Sequence, residues 1–219
     1  MTHTVHPYAH RIGTLRDWKS RWFDLGDAYV AKLKSDVLIR EFLEEELRDM
    51  HISSIEMERS QNKLRVILKT SRPGLVIGRN GEGAKRIKRD VASFIDTHNL
   101  AGADDIRIDV EEVRSAESNA AIVSQMVRDG LERRLPFRRV LKQTIDKVMA
   151  NRDVEGVQIS IAGRLGGAEM SRTEEIKKGQ IPLQTFRADV DFARETAVLP
   201  YGVIGIKVWI YKGEVFETE

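Results

Sequence analysis

No cysteine occurs in the 219 residues of this chain. Its absence excludes disulfides, thiolate metal sites and cysteine nucleophiles, and it suits a reducing compartment. Long apolar runs are missing too: none approaches the roughly 18 residues that a membrane span requires. The opening stretch MTHTVHPYAHRIG offers no apolar segment of the kind a secretory signal carries. A cytoplasmic protein with no membrane partner is therefore expected. An excess of one charge is also lacking, since 36 basic residues face 34 acidic ones for a net +2. Hydrophobic residues at 41% and charged residues at 32% describe a soluble folded protein, long enough for two small domains.

The near-neutral average hides a segregation. Between residues 36 and 49, Asp36, Glu41, Glu44, Glu45, Glu46 and Asp49 outnumber Arg40 and Arg48. Between residues 128 and 152, Arg128, Arg133, Arg134, Arg138, Arg139, Lys142, Lys147 and Arg152 outnumber Asp129, Glu132 and Asp146. Separated charge of this kind points to a basic surface for a polyanion, or to two solvated helix faces.

The fold class read from the pattern is α+β. SDVLIREFLEEELRD predicts a helix capped by Ser35 or Asp36, with Val37, Leu38, Phe42, Leu43 and Leu47 inward. ISSIEMER and KLRVILKT predict paired strands around Ser60-Gln61-Asn62, and Pro73-Gly74 ends the second. A helix from Glu82 to Thr97, with Ala84, Ile87, Val91, Phe94 and Ile95 inward, leads to the alternating strand DIRIDVEEV. The second half predicts helices over Ser118–Arg134 and Pro136–Asn151, then the strand VEGVQISIAG. GRLGGAEMSRTEEIKKGQIP should be mostly turn and loop, and two long strands close the chain. We expect an N-terminal segment over 1–35, a first domain over 36–115 and a second, of helices packed on a small sheet, over 116–219.

RPGLVIGRNGEGAKRIKRD carries the most specific local chemistry. A phosphate loop for ATP needs G-x-x-x-x-G-K-[ST], but Ala84 and Lys85 stand after Gly83 where Lys and a hydroxyl belong. The dinucleotide pattern fails as well, with Arg86 at its third glycine. What fits is V-I-G-x-x-G at Val76-Ile77-Gly78-Arg79-Asn80-Gly81, the turn of a KH domain. Glycines there let a single strand's sugar-phosphate chain come close, and the next helix adds N–H groups and partial positive charge. Arg79, Lys85, Arg86, Lys88 and Arg89 extend that field. The helix–strand–strand–turn–helix–strand order around the turn is that of the prokaryotic KH form, with a three-stranded sheet. Ala84 stands where KH domains usually carry a larger aliphatic residue.

Other constellations are weaker. His3, His6 and His10 read as a mobile or RNA-packed terminus rather than a metal site. His51 and His98 are isolated, and Ser124 and Ser171 have no evident histidine partner. Glu44, Glu45 and Glu46 point in different directions on a helix. Trp18, Trp22 and Phe23 suit a core or partner-packing role better than base stacking. In the helix starting at Pro136, Phe137, Leu141, Ile145 and Val148 fall within about 80° of arc and should be buried. Arg138, Arg139 and Lys142 share an adjacent face, as a row of cations for phosphate. In GRLGGAEMSRTE, Gly166 and Gly167 allow close backbone approach while Arg164 and Arg172 can fork onto phosphates.

Longer matches accompany these motifs: VHP at Val5–Pro7, W-x-S-x-W-F at Trp18–Phe23, LERRLPFRR at Leu131–Arg139, GRLGGAEMSRTE at Gly163–Glu174 and YGVIGIKVWIYKGE at Tyr201–Glu214. On these the chain resembles, along essentially its whole length, the family of bacterial small-subunit ribosomal protein S-three. It departs in reading Arg79-Asn80 where many relatives carry two lysines, and in ending at Thr218-Glu219 without their basic tail. The resemblance implies a structural, non-enzymatic protein of the ribosomal head, with no cofactor and no small-molecule substrate. It implies contact with small-subunit rRNA, in which Arg164, Gly166, Gly167 and Arg172 face RNA. It also implies that Arg138, Arg139 and Lys142 grip mRNA at the entrance of its channel and help unwind it. Proteins S-ten and S-fourteen are the implied protein neighbours. A free-standing KH regulator and a nuclease are the rivals; the second needs clustered carboxylates, and the sequence offers none.

Overall fold

The computed structural model describes residues 6–60, 62–102 and 105–216. His3, Val5, Gln61, Thr218 and Glu219, which entered the sequence reading, lie outside them. The chain divides into two units, Trp18–Arg114 and a second made of the N-terminal residues to Asp17 together with Ser115–Glu219.

The first unit runs β1 (Ser20–Arg21), α1 (Gly26–Glu46), β2 (Ile52–Ser60), β3 (Lys63–Thr70), α2 (Pro73–Ile77), α3 (Glu82–Thr97) and β4 (Asp105–Glu112). Its sheet has the order β1-β2-β3-β4, with the β2–β3 hairpin antiparallel and both outer pairings parallel. The expected three strands are present, and the two-residue β1 adds an edge. Ile39 and Leu43 of α1, Leu47 just after it, and Ile87, Val91 and Ile95 of α3 bury a common core against Ile55, Met57, Leu64, Val66 and Leu68 of the sheet. α3 spans the range its period predicts, because its apolar residues recur every three or four positions.

α1 differs from expectation. It begins at Gly26, and Ser35 and Asp36 sit mid-helix, fully buried. They do not cap anything. Asp36 accepts from the indole N–H of Trp22 and from Arg59, both at 2.7 Å, and Ser35 accepts from Arg59 at 2.9 Å. The buried stripe therefore runs through Asp36, Ile39 and Leu43, and Val37 is turned outward. A polar stripe of this kind is invisible to hydrophobic periodicity.

The second unit runs α4 (Ala120–Glu132), α5 (Phe137–Met149), β5 (Gly156–Gly163), β6 (Arg172–Gly179), β7 (Ala188–Leu199) and β8 (Gly202–Glu214). All pairings are antiparallel in the order β6-β5-β8-β7. Asn119 caps α4 by accepting from the N–H groups of Ala121 and Ile122. α4 and α5 cover one sheet face, burying Val123, Val127, Leu141, Ile145 and Val148 against Ile159, Ile161, Ile206 and Val208. β6 corrects the expected loop. It is an exposed edge strand, RTEEIKKG, with only Glu174 and Ile176 half-buried, so its residues carry no apolar alternation. Backbone pairing with β5 makes it a strand, in the register Ile159–Ile176.

Residues 6–17 are not a separate segment, as the 1–35 boundary had it. Arg11 is fully buried and donates to the carbonyls of Pro7, Leu183, Thr185 and Ala188, the last at 2.6 Å. Arg16 pairs with Asp189 at 2.6 Å. A buried guanidinium needs several acceptors, and the loop before β7 provides them as carbonyls.

Candidate nucleic-acid interface

The glycine turn is built by two helix ends. α2 stops at Gly78, whose N–H bonds back to Gly74 at 3.0 Å and whose φ is +68°. One 3-10 turn over Arg79–Gly81 follows, and α3 starts at Glu82. Asn80 has φ +53° and Gly81 φ +75°. Asparagine enters this left-handed region more readily than most side chains do. Gly83, which entered the sequence reading only through the failed phosphate-loop pattern, is the tightest point of the turn. A Cβ there would lie 2.5 Å from the carbonyl oxygen of Val76 and 2.9 Å from that of Ile77.

Arg79, Lys85, Arg86, Lys88 and Arg89 line one open depression together with Gly83 and Ala92. These cations are not equivalent. Arg86 pairs with Glu46 of α1 and with Asp90, and Lys88 lies 3.7 Å from Asp105. Among the described residues, Arg79, Lys85 and Arg89 form no ion pair, and Lys85 and Arg89 stand one helical turn apart on the same face. Arg79 precedes α3, and Lys85 and Arg89 lie within its first two turns. The neighbouring Ala84 is half-buried.

The second unit carries another basic surface. Arg138, Arg139 and Lys142 are exposed on α5, while Val140, Leu141, Thr144, Ile145 and Val148 bury its back and Phe137 is half-buried. The four residues read from GRLGGAEMSRTE separate. Gly166 and Gly167 take φ of +69° and +82° in an exposed turn. Arg164 does not present a free fork: its Nε donates to Ala168 at 2.9 Å and its Nη1 to Tyr201 at 3.1 Å. It braces the turn against the β7–β8 hairpin. Arg172 opens β6 and joins the α5 cations instead, with its guanidinium 5.5 Å from the Phe137 ring centre. No sequence signal linked Arg172 to α5, because β6 was not recognised as a strand.

The remaining candidates resolve individually. His6 packs edge-on to Phe192 and His10 tilts over Phe186 at 4.2 Å. Among the described residues no group of three His, Cys, Asp or Glu side chains is placed to hold a metal ion, and no helix is long and apolar enough to cross a membrane. Trp22 is tied to Asp36 and tilted against Tyr29, whereas Trp18 and Phe23 are exposed. With Leu25, Tyr29, Val30, Leu33 and Val37 they leave an exposed apolar face on the first half of α1 and the residues before it.

Comparison with known proteins assigns each part of the chain to a family. A family model described as "KH domain" matches residues 38–118, and one described as "Ribosomal protein S3, C-terminal domain" matches residues 127–210. The chain is 42% identical over 217 residues to "Small ribosomal subunit protein uS3" of Methylococcus capsulatus, covering 99% of this chain and 94% of the relative. It is 37% identical to the protein of the same name from Clostridium acetobutylicum, covering 100% of this chain and 96% of the relative. The corresponding figures for the Parvibaculum lavamentivorans protein are 41%, 100% and 89%.

Proposed function

The chain belongs to the ribosomal protein S3 family, and on that footing we propose that it is a structural, RNA-binding constituent of the small ribosomal subunit that also handles mRNA. The observation that carries the mRNA part is the face of α5. Arg138, Arg139 and Lys142 project from a helix whose opposite side is buried in the core. Cations held this way form a stiff row that meets successive phosphates without first losing backbone freedom. Such a row suits a single strand that must be gripped and moved, as at the entrance of the mRNA channel. Gripping one strand of a duplex as it advances also helps to part it.

The glycine turn adds a second single-strand surface, in which the backbone between α2 and α3 carries the contact. Contacts to rRNA fall to the exposed Gly166–Gly167 turn, while Arg172 stands with the α5 cations. The apolar face of α1 is unsuited to a polyanion and fits protein neighbours, for which S-ten and S-fourteen are our candidates. The protein works in the cytoplasm, on the ribosome, without a catalytic role.

A sucrose gradient of cell extract tests the assembly reading, since co-migration with the small subunit separates it from a free regulator and from a nuclease. Changing Arg138, Arg139 and Lys142 together to Ala should leave assembly intact and slow translation through stable hairpins. An unchanged ratio of rates on structured and unstructured messages would make α5 a scaffold only.

A further inference from the structure

The cations of α5 and β6 are not left bare. Arg138 and Arg172 approach the Phe137 ring from two elements, with their guanidinium carbons 5.6 and 5.5 Å from its centre. Both also reach the same atom, Oε1 of Glu174, at 3.4 and 3.8 Å. Glu174 stands two residues after Arg172 on β6, and strand alternation therefore puts the two on one face. A second bridge of the same kind lies farther along, where Lys178 of β6 meets Asp146 of α5 at 3.1 Å.

These pairs are poorly explained as stabilising contacts. The side chains of Arg138 and Arg172 are 69% and 50% exposed, and that of Glu174 32%. Ion pairs this open contribute little, because water competes for both partners. They do control which anion the guanidiniums hold. A carboxylate and a phosphate present the same paired acceptor oxygens to an arginine fork, and one fork cannot serve both at full strength.

We infer that Glu174 is a built-in competitor of RNA phosphate: it occupies Arg138 and Arg172 in the free protein and yields them when a single strand lies along α5 and β6. Arg172 is then a further cation of the grip. Phe137 keeps both guanidiniums over its ring when the carboxylate withdraws, so they remain aimed. A competitor weakens each contact and speeds its exchange, which suits a strand that has to keep moving. This inference rests on the reading of α5 as the strand-gripping helix and specifies how that grip is regulated.

The test uses the full chain carrying Arg79→Asp and Asn80→Asp, so that the glycine turn does not contribute. Binding of a short fluorescent oligouridylate is followed by anisotropy over a range of salt. Glu174→Gln should bind several-fold more tightly, with a log–log salt slope steeper by up to about 0.7 for each phosphate contact strengthened. Adding Arg172→Ala should abolish the gain. Glu175→Gln, on the opposite face of β6, makes the same change in net charge and should gain less. Equal gains from the two glutamates, or binding by Glu174→Gln that is unchanged or weaker, would overturn the competitor. Changing Arg138, Arg139 and Lys142 to Ala in the same background separates the two levels. If that variant loses affinity while Glu174→Gln gains none, only the competitor falls; if it binds like its parent, the grip falls as well.

Discussion

Asp36 and Arg59 meet at 2.7 Å inside the first unit, with 1% and 5% of their side chains exposed. Asp36 also accepts the Trp22 indole N–H, and Arg59 also donates to the carbonyl of Ala101 at 2.9 Å. Three chain segments, before α1, within α1 and at the end of β2, are thereby joined at one buried carboxylate. Asp36→Ala leaves a buried guanidinium without its counter-ion and an indole N–H without its acceptor, which should cost about 3–5 kcal/mol of stability. Urea denaturation followed by tryptophan fluorescence measures it. A loss below about 1 kcal/mol, the value of an exposed pair, would place this pair at the surface in solution.

Gly83 poses a question of sign. In an open helix Gly→Ala stabilises by about 1 kcal/mol. Here the new Cβ would stand 2.5 Å from the Val76 carbonyl oxygen, a backbone atom that cannot swing aside. Gly83→Ala should therefore destabilise, by about 1–3 kcal/mol as overpacking does. It should also weaken binding of single-stranded RNA although no cation is removed. A raised melting temperature would contradict the close approach of α3 to α2.

The glycine turn itself is tested by charge reversal. Arg79→Asp with Asn80→Asp keeps both hinge glycines, and aspartate still tolerates the left-handed step at residue 80. The variant should retain its circular dichroism and lose affinity for single-stranded RNA in filter binding. Unchanged affinity would remove the turn from the RNA-binding surface.

Glu56 sets a dependence on acid. Desolvation pushes its carboxyl up, but hydrogen bonds and charge from Lys69 and Arg21 outweigh this and hold it below its ordinary value. A carboxylate lowered by folding stabilises the native state above its unfolded value, about 4.3, and that stability is lost as pH falls through the folded value. Glu56→Gln should thus be less stable than the parent at neutral pH and nearly equal to it in strong acid. Denaturation midpoints measured along a pH series would show the two curves converging; parallel curves would mean that Glu56 is unperturbed.

What the sequence determined alone is what travels along the chain. α3 follows from its 3.6-residue period, the turn before it from Pro73 and the glycines, and the row on α5 from the spacing of Arg138, Arg139 and Lys142. Only the tertiary structure decided which polar groups are buried and which cations are countered, because most of these answers depend on at least one partner far away in sequence. Ser35 and Asp36 look like a helix cap until Arg59 arrives from β2. Arg11 looks like part of a loose terminus until the carbonyls near residue 185 surround it. Arg164 and Arg172 look alike, yet one is consumed by Ala168 and Tyr201 while the other reaches Phe137 and Glu174. β6 shows the same limit in the backbone: its charged sequence has no preference of its own, and the open edge of β5 makes it a strand.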